Sequence, residues 1–228
     1  MLSRLNDTMI PGNDPMTKQP ANTSTVFLVD DDSRIRSSLA RALTKRGYNV
    51  TTFGSAEDFL TSYDPDQPGC LVLDYGMPGL NGLELQDQLN SKAYSIPIIF
   101  ISGHGGISES VQAMKAGAVD FLEKPFRQHT LIACIDAAFA TDIARRSDEM
   151  RTRSARERFD RLTAREQEIA TYIITNPSNT SSKEIGRQLD ISPRTVDHHR
   201  ARILEKMAIN SIAQLIDLSA AAILTSNR

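Results

Sequence analysis

The sequence holds little of what marks secreted, membrane-spanning or metal-scaffolded proteins. It has only two cysteines, Cys70 and Cys134, each in an apolar context, and we expect both to be small core residues rather than disulfide or metal-binding residues. It has no run of about 18 apolar residues, which a transmembrane helix would need. Its N-terminus lacks the continuous apolar segment of a signal peptide. These absences predict a cytoplasmic protein with no membrane partner.

The net charge is small, −2 at pH 7, but it is unevenly distributed. Residues 25–140 carry 9 Lys and Arg against 14 Asp and Glu, whereas residues 161–228 carry 9 against 7. An acidic first part and a mildly basic last part suggest different partners for the two parts. Because the basic excess of the last part is small, nucleic-acid binding has to be argued from sequence pattern and not from charge.

The first part of the chain alternates between strand-like and helix-like patterns. Residues 1–24 are polar and contain three prolines, which predicts a disordered tail. Through residue 140, five apolar strand-like runs then alternate with helical patterns, which predicts an α/β fold with a five-stranded, parallel, doubly wound sheet. In the fourth helical pattern we expect Val111, Met114 and Ala118 to face inward.

Polar residues follow four of the five predicted strands, at the point where each strand ends. The C-terminal ends of parallel strands lie at one edge of a sheet, where α/β folds place their chemistry. We therefore expect one site at this edge. Its members are Asp30 and Asp31 after the first strand, Asp74 after the third, Ser102 after the fourth and Lys124 after the fifth.

Each of these residues has an ordinary explanation when it is taken alone. Asp32 or Ser33 would cap the following helix. Asp74 would be a turn residue, and Lys124 would be a surface charge. Three consecutive carboxylates repel one another, however, unless a cation or solvent compensates, and carboxylate oxygens suit Mg²⁺. A carboxylate can attack phosphorus, while a hydroxyl and an ammonium group can stabilise the phosphoryl oxygens. The full set favours phosphoryl transfer.

Five motifs between residues 25 and 140 stand out. They are Val29-Asp30-Asp31-Asp32, Leu73-Asp74-x-x-Met77-Pro78-Gly79, Ile101-Ser102-Gly103-His104-Gly105, Ala113-Met114-Lys115-Ala116-Gly117-Ala118 and Phe121-Leu122-Glu123-Lys124-Pro125-Phe126. With these motifs, residues 25–140 resemble the receiver domain of two-component response regulators, which has a flavodoxin-like fold, and the FixJ branch in particular. By this resemblance, Asp74 accepts a phosphoryl group from a sensor histidine kinase, and Mg²⁺ or Mn²⁺ is held by Asp30, Asp31, Asp74 and the backbone carbonyl of Gly76.

The same resemblance assigns the remaining receiver residues. Ser102 and Phe121 form a switch pair, in which the hydroxyl moves to the phosphoryl group and the ring turns inward. Lys124 contacts the phosphate, and its peptide bond to Pro125 is expected to be cis. Gly76 and His104 are at positions that line the route of the hydrolytic water. The face formed by the fourth and fifth helices and the fifth strand dimerises upon phosphorylation.

Residues 141–160 are charged and contain neither Gly nor Pro. This pattern predicts that the preceding helix continues as a linker that is solvated on most faces. Two interpretations remain open, a plain spacer and a helix that dimerises or carries a signal.

Residues 161–228 predict an all-α domain of four short helices. Thr163 and Glu166 have capping-box spacing, and Ser192-Pro193 marks the start of another helix. A helix, a tight turn and a second helix form the layout of a helix-turn-helix reader, although the charge alone favours an ordinary solvated helix face. The segments Leu162–Glu166, Lys183–Gly186 and Ile191–Arg200 resemble the LuxR-type DNA-binding domain.

This second resemblance implies two groups of DNA-contacting residues. Asp197, His198 and Ala201 point toward base edges, and the Asp197 carboxylate could accept from cytosine N4. Phosphate contacts, which position the protein without specifying sequence, are expected from Lys183, Arg194, Thr195, Arg202 and Lys206.

Together, the two resemblances imply a phosphorylation-activated transcription regulator and not an enzyme. Its expected partners are a sensor histidine kinase, promoter DNA, RNA polymerase and a second copy of the chain. Two alternatives remain. One is a receiver that works without phosphate. The other is a phosphohydrolase with an aspartyl-phosphate intermediate, although the short predicted loops leave little room for a substrate cap.

Overall fold

The structure is a computed structural model that describes residues 24–103 and 106–222, with the backbone alone for residues 219–222. It divides into two compact units after Asp142. The predicted disordered tail lies outside the described residues except for Ser24, which is buried beside the first strand. The predicted domain limits at residues 140 and 161 stay predictions.

The first unit is the predicted five-stranded parallel sheet, with strand order β2-β1-β3-β4-β5. Chain order alternates strand and helix, as the sequence indicated. The elements are β1 (Thr25–Val29), α1 (Ser33–Thr44), β2 (Asn49–Phe53), α2 (Ala56–Ser62), β3 (Gly69–Asp74), α3 (Gly82–Ser91), β4 (Ile98–Ser102), α4 (Ile107–Lys115), β5 (Asp120–Glu123) and α5 (Gln128–Phe159).

Both faces of the sheet are covered, and this explains why its central strands are apolar throughout. Successive side chains of β1 belong to different layers, since Phe27 and Val29 pack in one core cluster and Val26 and Leu28 pack in the other. Cys70 and Cys134 are buried free thiols, as predicted. The sheet is therefore a rigid base for the groups at its edge.

The prediction for α4 was wrong in two residues. Val111 and Met114 are 44% and 45% exposed, and the α4 residue that packs into the core is Ala113. Ala118 is buried as expected, but it lies beyond the end of the helix. Helical spacing identifies an apolar face without saying which apolar face meets the sheet, and here it is Ala113 that joins the core cluster.

Helix α5 includes all but the last of the predicted linker residues, 141–160. In the first unit it buries Leu131 and Ile135. The buried Asp142 carboxylate accepts a hydrogen bond from the Gly69 amide at the start of β3, 3.0 Å away. In the second unit the last turns of α5 are not fully solvated, because Ala155 and Phe159 are 3% and 8% exposed.

The second unit contains α6 (Ala164–Thr175), α7 (Ser182–Leu189), α8 (Pro193–Met207) and α9 (Ile212–Ala222), the four helices that were predicted. The predicted capping box of Thr163 and Glu166 is present, and Ser192 caps α8 with Pro193 in its first turn. One apolar cluster from all four helices fills the core. None of the helices in the described ranges is long and apolar enough to cross a membrane.

Candidate functional site

The strand order brings the predicted phosphoryl-transfer residues to one edge of the sheet. Strands β1, β3, β4 and β5 are consecutive neighbours, so their C-terminal ends adjoin one another. An open cleft of about 330 Å³ lies at this edge. It is lined by Asp30, Asp31, Asp32, Ile35, Asp74, Tyr75, Gly76, Ser102, Gly103 and Lys124. All five residues predicted at the strand ends are among them.

Lys124 links two of the carboxylates. Its Nζ lies 2.7 Å from Asp74 Oδ1 and 2.9 Å from Asp30 Oδ2, and both carboxylates are nearly inaccessible to solvent. Burial acts to lower the pKa of Lys124, but its hydrogen bonds to Asp74 and Asp30 outweigh burial and raise the pKa. The lysine is thus a fixed positive charge beside the predicted phosphoacceptor. Hydrogen bonds between ionised partners, such as these two, are shorter and stronger than neutral ones.

The three carboxylates after β1 have different environments. Asp30 is buried, and burial raises its pKa even though Lys124 opposes this effect. Asp32 caps α1 by accepting from the Arg34 amide, and hydrogen bonds from Arg34 lower its pKa. Asp31 is exposed to solvent in the cleft. The ordinary explanation, helix capping, therefore holds for Asp32 and leaves Asp30 and Asp31 for the site.

Arg36 was not predicted as part of this site. Its guanidinium Nη1 donates to the backbone carbonyl of Asp30 at 2.5 Å, which ties the acidic loop back to the second turn of α1. A basic residue soon after an acidic run is common on helices, so the sequence offered no signal that it folds back on the loop.

The cleft suits a divalent cation by its donor chemistry, although it does not present a finished metal site. It contains more carboxylates than ammonium groups, and hard oxygen donors of this kind are what Mg²⁺ prefers. Within residues 24–103 and 106–222, no group of three or more His, Cys, Asp and Glu side chains is arranged to hold a metal ion. The residues predicted to supply these donors, Asp30, Asp31, Asp74 and Gly76, all line the cleft, and their role as ligands stays a prediction.

The two predicted switch residues, Ser102 and Phe121, lie on the neighbouring strands β4 and β5, and their switching role stays a prediction. Ser102 is 2% exposed at the end of β4. The Phe121 ring stacks on Phe100 with the ring centroids 6.0 Å apart. Tyr75, the residue after Asp74, meets both rings edge-on at 6.1 and 6.4 Å. Tyr75 was missed because nothing in the sequence indicates which ring an aromatic residue in a loop will contact.

The loop after Asp74 is held closely against the strand ends. A Cβ at Gly82 would lie 2.8 Å from the Asp74 carbonyl oxygen, whereas a Cβ at Gly76 would meet nothing within 4 Å. Gly82 is therefore needed for close approach, and Gly76 leaves room open beside the acceptor. His104, the other predicted residue of the water route, lies outside the described residues. The Lys124–Pro125 bond is cis, as expected.

The predicted DNA-contacting residues of α8 are on its solvent side. Arg194, Thr195, Asp197, His198, Ala201 and Arg202 are exposed, as is Lys183 on α7, while the buried face of α8 holds Val196, Ile203 and Met207. Lys206 differs from these residues, because its Nζ lies 2.6 Å from the Oε2 of the buried Glu166. Its role as a phosphate contact stays a prediction.

Two polar residues of this region were also missed. The Ser182 hydroxyl donates to the Asp197 carboxylate, and Arg200 Nη1 donates to the Thr180 carbonyl at 2.9 Å and to Ser182 Oγ at 3.1 Å. Ser182 is fifteen residues from Asp197 in the chain, so only the crossing of α7 and α8 brings the two together.

Comparisons with known proteins agree with both halves of this geometry. Residues 26–136 match the model of the response regulator receiver domain, and residues 160–219 match that of the luxR family of bacterial regulatory proteins.

Similarity also extends along most of the chain. Nodulation protein W of Bradyrhizobium diazoefficiens is 41% identical over 194 residues, which cover 85% of this chain and 84% of that protein. The transcriptional regulatory protein FixJ of Rhizobium meliloti is 40% identical over 198 residues, which cover 86% of this chain and 95% of that protein. The solved structure of the response regulator StyR is 40% identical in sequence, with a TM-score of 0.76, and the match covers 87% of this chain and 98% of that one. The chain therefore belongs to the response regulators that join a receiver domain to a luxR-family DNA-binding domain.

Proposed function

We propose that this protein is a transcription regulator that is switched by phosphorylation of Asp74. The observation that carries the proposal is the position of the Lys124 ammonium group between the buried carboxylates of Asp74 and Asp30. An acceptor carboxylate, a fixed cation and a hydroxyl at the end of the adjacent strand are the groups that phosphoryl transfer needs.

The proposed donor is the phosphohistidine of a sensor histidine kinase. An oxygen of Asp74 attacks phosphorus, the P–N bond breaks, and its electron pair stays on the histidine nitrogen, which then takes up a proton. The product is an acyl phosphate on Asp74. Lys124 leaves its ion pair with Asp74 to contact the new phosphoryl oxygens, and Ser102 donates a hydrogen bond to them.

Asp30, Asp31, Asp74 and the Gly76 carbonyl are the proposed ligands of Mg²⁺ or Mn²⁺. When bound, the ion would neutralise charge on the transferring phosphoryl group. The excess of carboxylates in the cleft supports this assignment.

The proposed output of the switch is a dimer. As Ser102 moves toward the phosphoryl group, the Phe121 ring would turn further inward beside Tyr75 and Phe100. Helix α4 presents three exposed apolar side chains, Ile107, Val111 and Met114, at 86%, 44% and 45% exposure. Burying such a patch against a second copy is favourable in proportion to its apolar area, which supports dimerisation at this face.

The second unit is the proposed promoter-binding domain. In a dimer, two α8 helices would engage the two halves of a two-fold operator and double the number of phosphate contacts, which steepens the dependence of affinity on salt. The bound dimer would then recruit or block RNA polymerase. We place this function in the cytoplasm, where the kinase domain, DNA and polymerase are accessible.

An enzyme with a separate phosphorylated substrate is the alternative. The exposed basic and polar side chains of α8 favour a DNA reader over a substrate cap. The measurement that separates the two is turnover of small phosphate esters. We expect one phosphorylation per chain and slow self-dephosphorylation. Sustained turnover that is lost in Asp74→Asn would identify an enzyme.

Intact mass after incubation with Mg²⁺ and a small phosphodonor tests the proposal directly. We expect a single phosphoryl adduct on the wild-type protein and none on Asp74→Asn. The absence of an adduct on the folded wild-type protein would contradict the proposed input and favour the phosphate-independent alternative.

A further inference from the structure

Ser182, at the start of α7, is the centre of a polar network that reaches the predicted base-reading face of α8. Its hydroxyl donates to Asp197 Oδ1 and accepts from Arg200 Nη1 at 3.1 Å. The same Arg200 nitrogen donates to the Thr180 carbonyl at 2.9 Å. One hydroxyl thus joins the α7 N-terminus to two successive turns of α8.

The chemistry of the partners fixes the direction of every hydrogen bond in this network. A guanidinium group only donates, and an ionised carboxylate only accepts. The Ser182 hydrogen must therefore point to Asp197, and a Ser182 lone pair must receive Arg200. The hydroxyl therefore has one rotation that satisfies both partners, and in that rotation its hydrogen bond restrains one oxygen of the Asp197 carboxylate.

Asp197 is otherwise an unexpected residue for a helix that approaches DNA. It is exposed, and a carboxylate near phosphates is repelled. Such a group is favourable only where a base edge supplies a donor, and in the major groove an acidic side chain pairs with the cytosine N4 amino group. This pairing discriminates between bases only if the carboxylate is held in place.

We propose that Ser182 is a specificity-determining residue that positions Asp197 to accept from the amino group of a cytosine in the operator. Arg200 secures Ser182 from the opposite side. This inference rests on the proposed DNA-binding function and adds a residue outside the base-reading face of α8. Ser182 acts through Asp197 and is therefore a positioning residue.

The test uses the full chain with Mg²⁺ and the small phosphodonor, and it selects bound duplexes from a randomised DNA library. Wild type, Ser182→Ala, Asp197→Ala, the double variant and Ser181→Ala are compared. Ser181→Ala is the matched control, because Ser181 caps the same helix through the Glu184 amide and its loss lowers helix stability without touching Asp197.

The wild-type protein is expected to enrich an operator with a strong preference for cytosine at one or more positions. Ser182→Ala and Asp197→Ala should each lose roughly tenfold in discrimination at the same positions. The double variant should lose no more than Asp197→Ala does. Ser181→Ala should keep the wild-type preference.

Binding to unrelated DNA separates positioning from general damage to the fold. Ser182→Ala keeps every charge, so its affinity for unrelated duplex and its salt dependence should equal those of the wild-type protein. Asp197→Ala removes a negative charge and should bind unrelated duplex more tightly.

Three results would overturn the inference in different ways. If Ser182→Ala retains the cytosine preference while Asp197→Ala loses it, Asp197 reads the base without Ser182. If neither variant changes the preference, Asp197 does not read a base. If the wild-type protein enriches no sequence at all, the proposed DNA-binding function fails together with this inference.

Discussion

The cleft at the strand ends and the outer face of α8 differ in where their charged side chains find partners. In the cleft, Asp30 and Asp74 are buried and satisfied by Lys124 within the protein. On α8, Arg194 and Arg202 are exposed, and their expected partners are phosphates of another molecule. In the first arrangement charge is neutralised inside the fold, and in the second it stays available to a large external ligand.

The position of each region in the fold explains the difference. Strand ends are held by the sheet ladder, so buried charges can be aligned there without help from their own helix. Side chains on a helix surface are free to rotate, so those that must be oriented need a tether from a neighbouring helix, as Ser182 gives to Asp197. Four pairs of substitutions test this contrast.

The largest effect is expected for Lys124→Ala. It leaves the buried Asp30 and Asp74 carboxylates without their ammonium partner and removes a positive charge from the developing phosphoryl group. Loss of one such electrostatic group typically lowers a rate by about 10²- to 10³-fold. The measurement is the rate of adduct formation by intact mass.

Lys115→Ala is the control for charge, because Lys115 lies in the last turn of α4 and is exposed. It should phosphorylate at the wild-type rate. If Lys124→Ala is phosphorylated at the wild-type rate, Lys124 does not contribute to phosphoryl transfer and its role is structural only.

The second effect concerns the internal ion pair of the DNA-binding unit. Glu166→Gln should destabilise the fold by about 1.5–3 kcal/mol, since it removes a charged hydrogen bond to Lys206 in a buried setting. Burial acts to raise the pKa of Glu166, but hydrogen bonds from Lys206 and Thr163 outweigh it and lower the pKa below the ordinary 4.5. A lowered pKa in the folded state stabilises the protein above the ordinary pKa.

The stability difference between wild type and Glu166→Gln should therefore be full at neutral pH. It should shrink as the pH falls below about 4.5 and through the lower pKa of the folded state. Urea unfolding followed by circular dichroism measures it. Glu168→Gln is the control, because Glu168 pairs with Arg165 at the surface and should cost about 0–1 kcal/mol. If the two variants lose equal free energy of unfolding, the burial of Glu166 does not make its ion pair more stabilising than the surface pair of Glu168.

Glycine substitutions beside the acceptor give a third, smaller effect. Gly82→Ala should destabilise the receiver by about 1–3 kcal/mol, as overpacking does, since its Cβ would meet the Asp74 carbonyl at 2.8 Å and the Phe100 ring at 2.9 Å. Gly76→Ala places a Cβ in open space and should leave stability unchanged. Thermal unfolding of the two variants checks the pair, and a stable Gly82→Ala would show that the loop can shift.

The cleft was predictable because its geometry follows from topology. Once five apolar runs indicated a parallel sheet, Asp30, Asp74 and Lys124 had to end on one edge, whatever the loops did. The α8 surface was less predictable. Its exposed residues follow from helical spacing, but the bond between Ser182 and Asp197 depends on how two helices cross, and no local pattern encodes that.

The same limit explains the predictions that did not hold or were incomplete. Val111 and Met114 are apolar at helical spacing, yet they face outward because Ala113 packs against the sheet. The phosphate contact of Lys206 stays a prediction, but its ion pair with the buried Glu166 was not foreseen, because the capping-box spacing of Thr163 and Glu166 does not say that Glu166 is buried. Tertiary contacts decide such cases.

The smallest expected effect compares two basic residues of the same helix. Arg194 is exposed at the start of α8, so Arg194→Gln should weaken binding to all DNA sequences equally and reduce the slope of log affinity against log salt by about 1. Lys206 is paired with the buried Glu166. Lys206→Gln should therefore lower the stability of the unit and leave the salt slope close to that of the wild-type protein. Affinity for operator and unrelated duplex across salt concentrations, together with urea unfolding, separates the two. If Lys206→Gln instead lowers the slope as much as Arg194→Gln does, then Lys206 exchanges its ion pair with Glu166 for a phosphate contact when DNA binds. A residue that is paired within the protein would then also contact DNA.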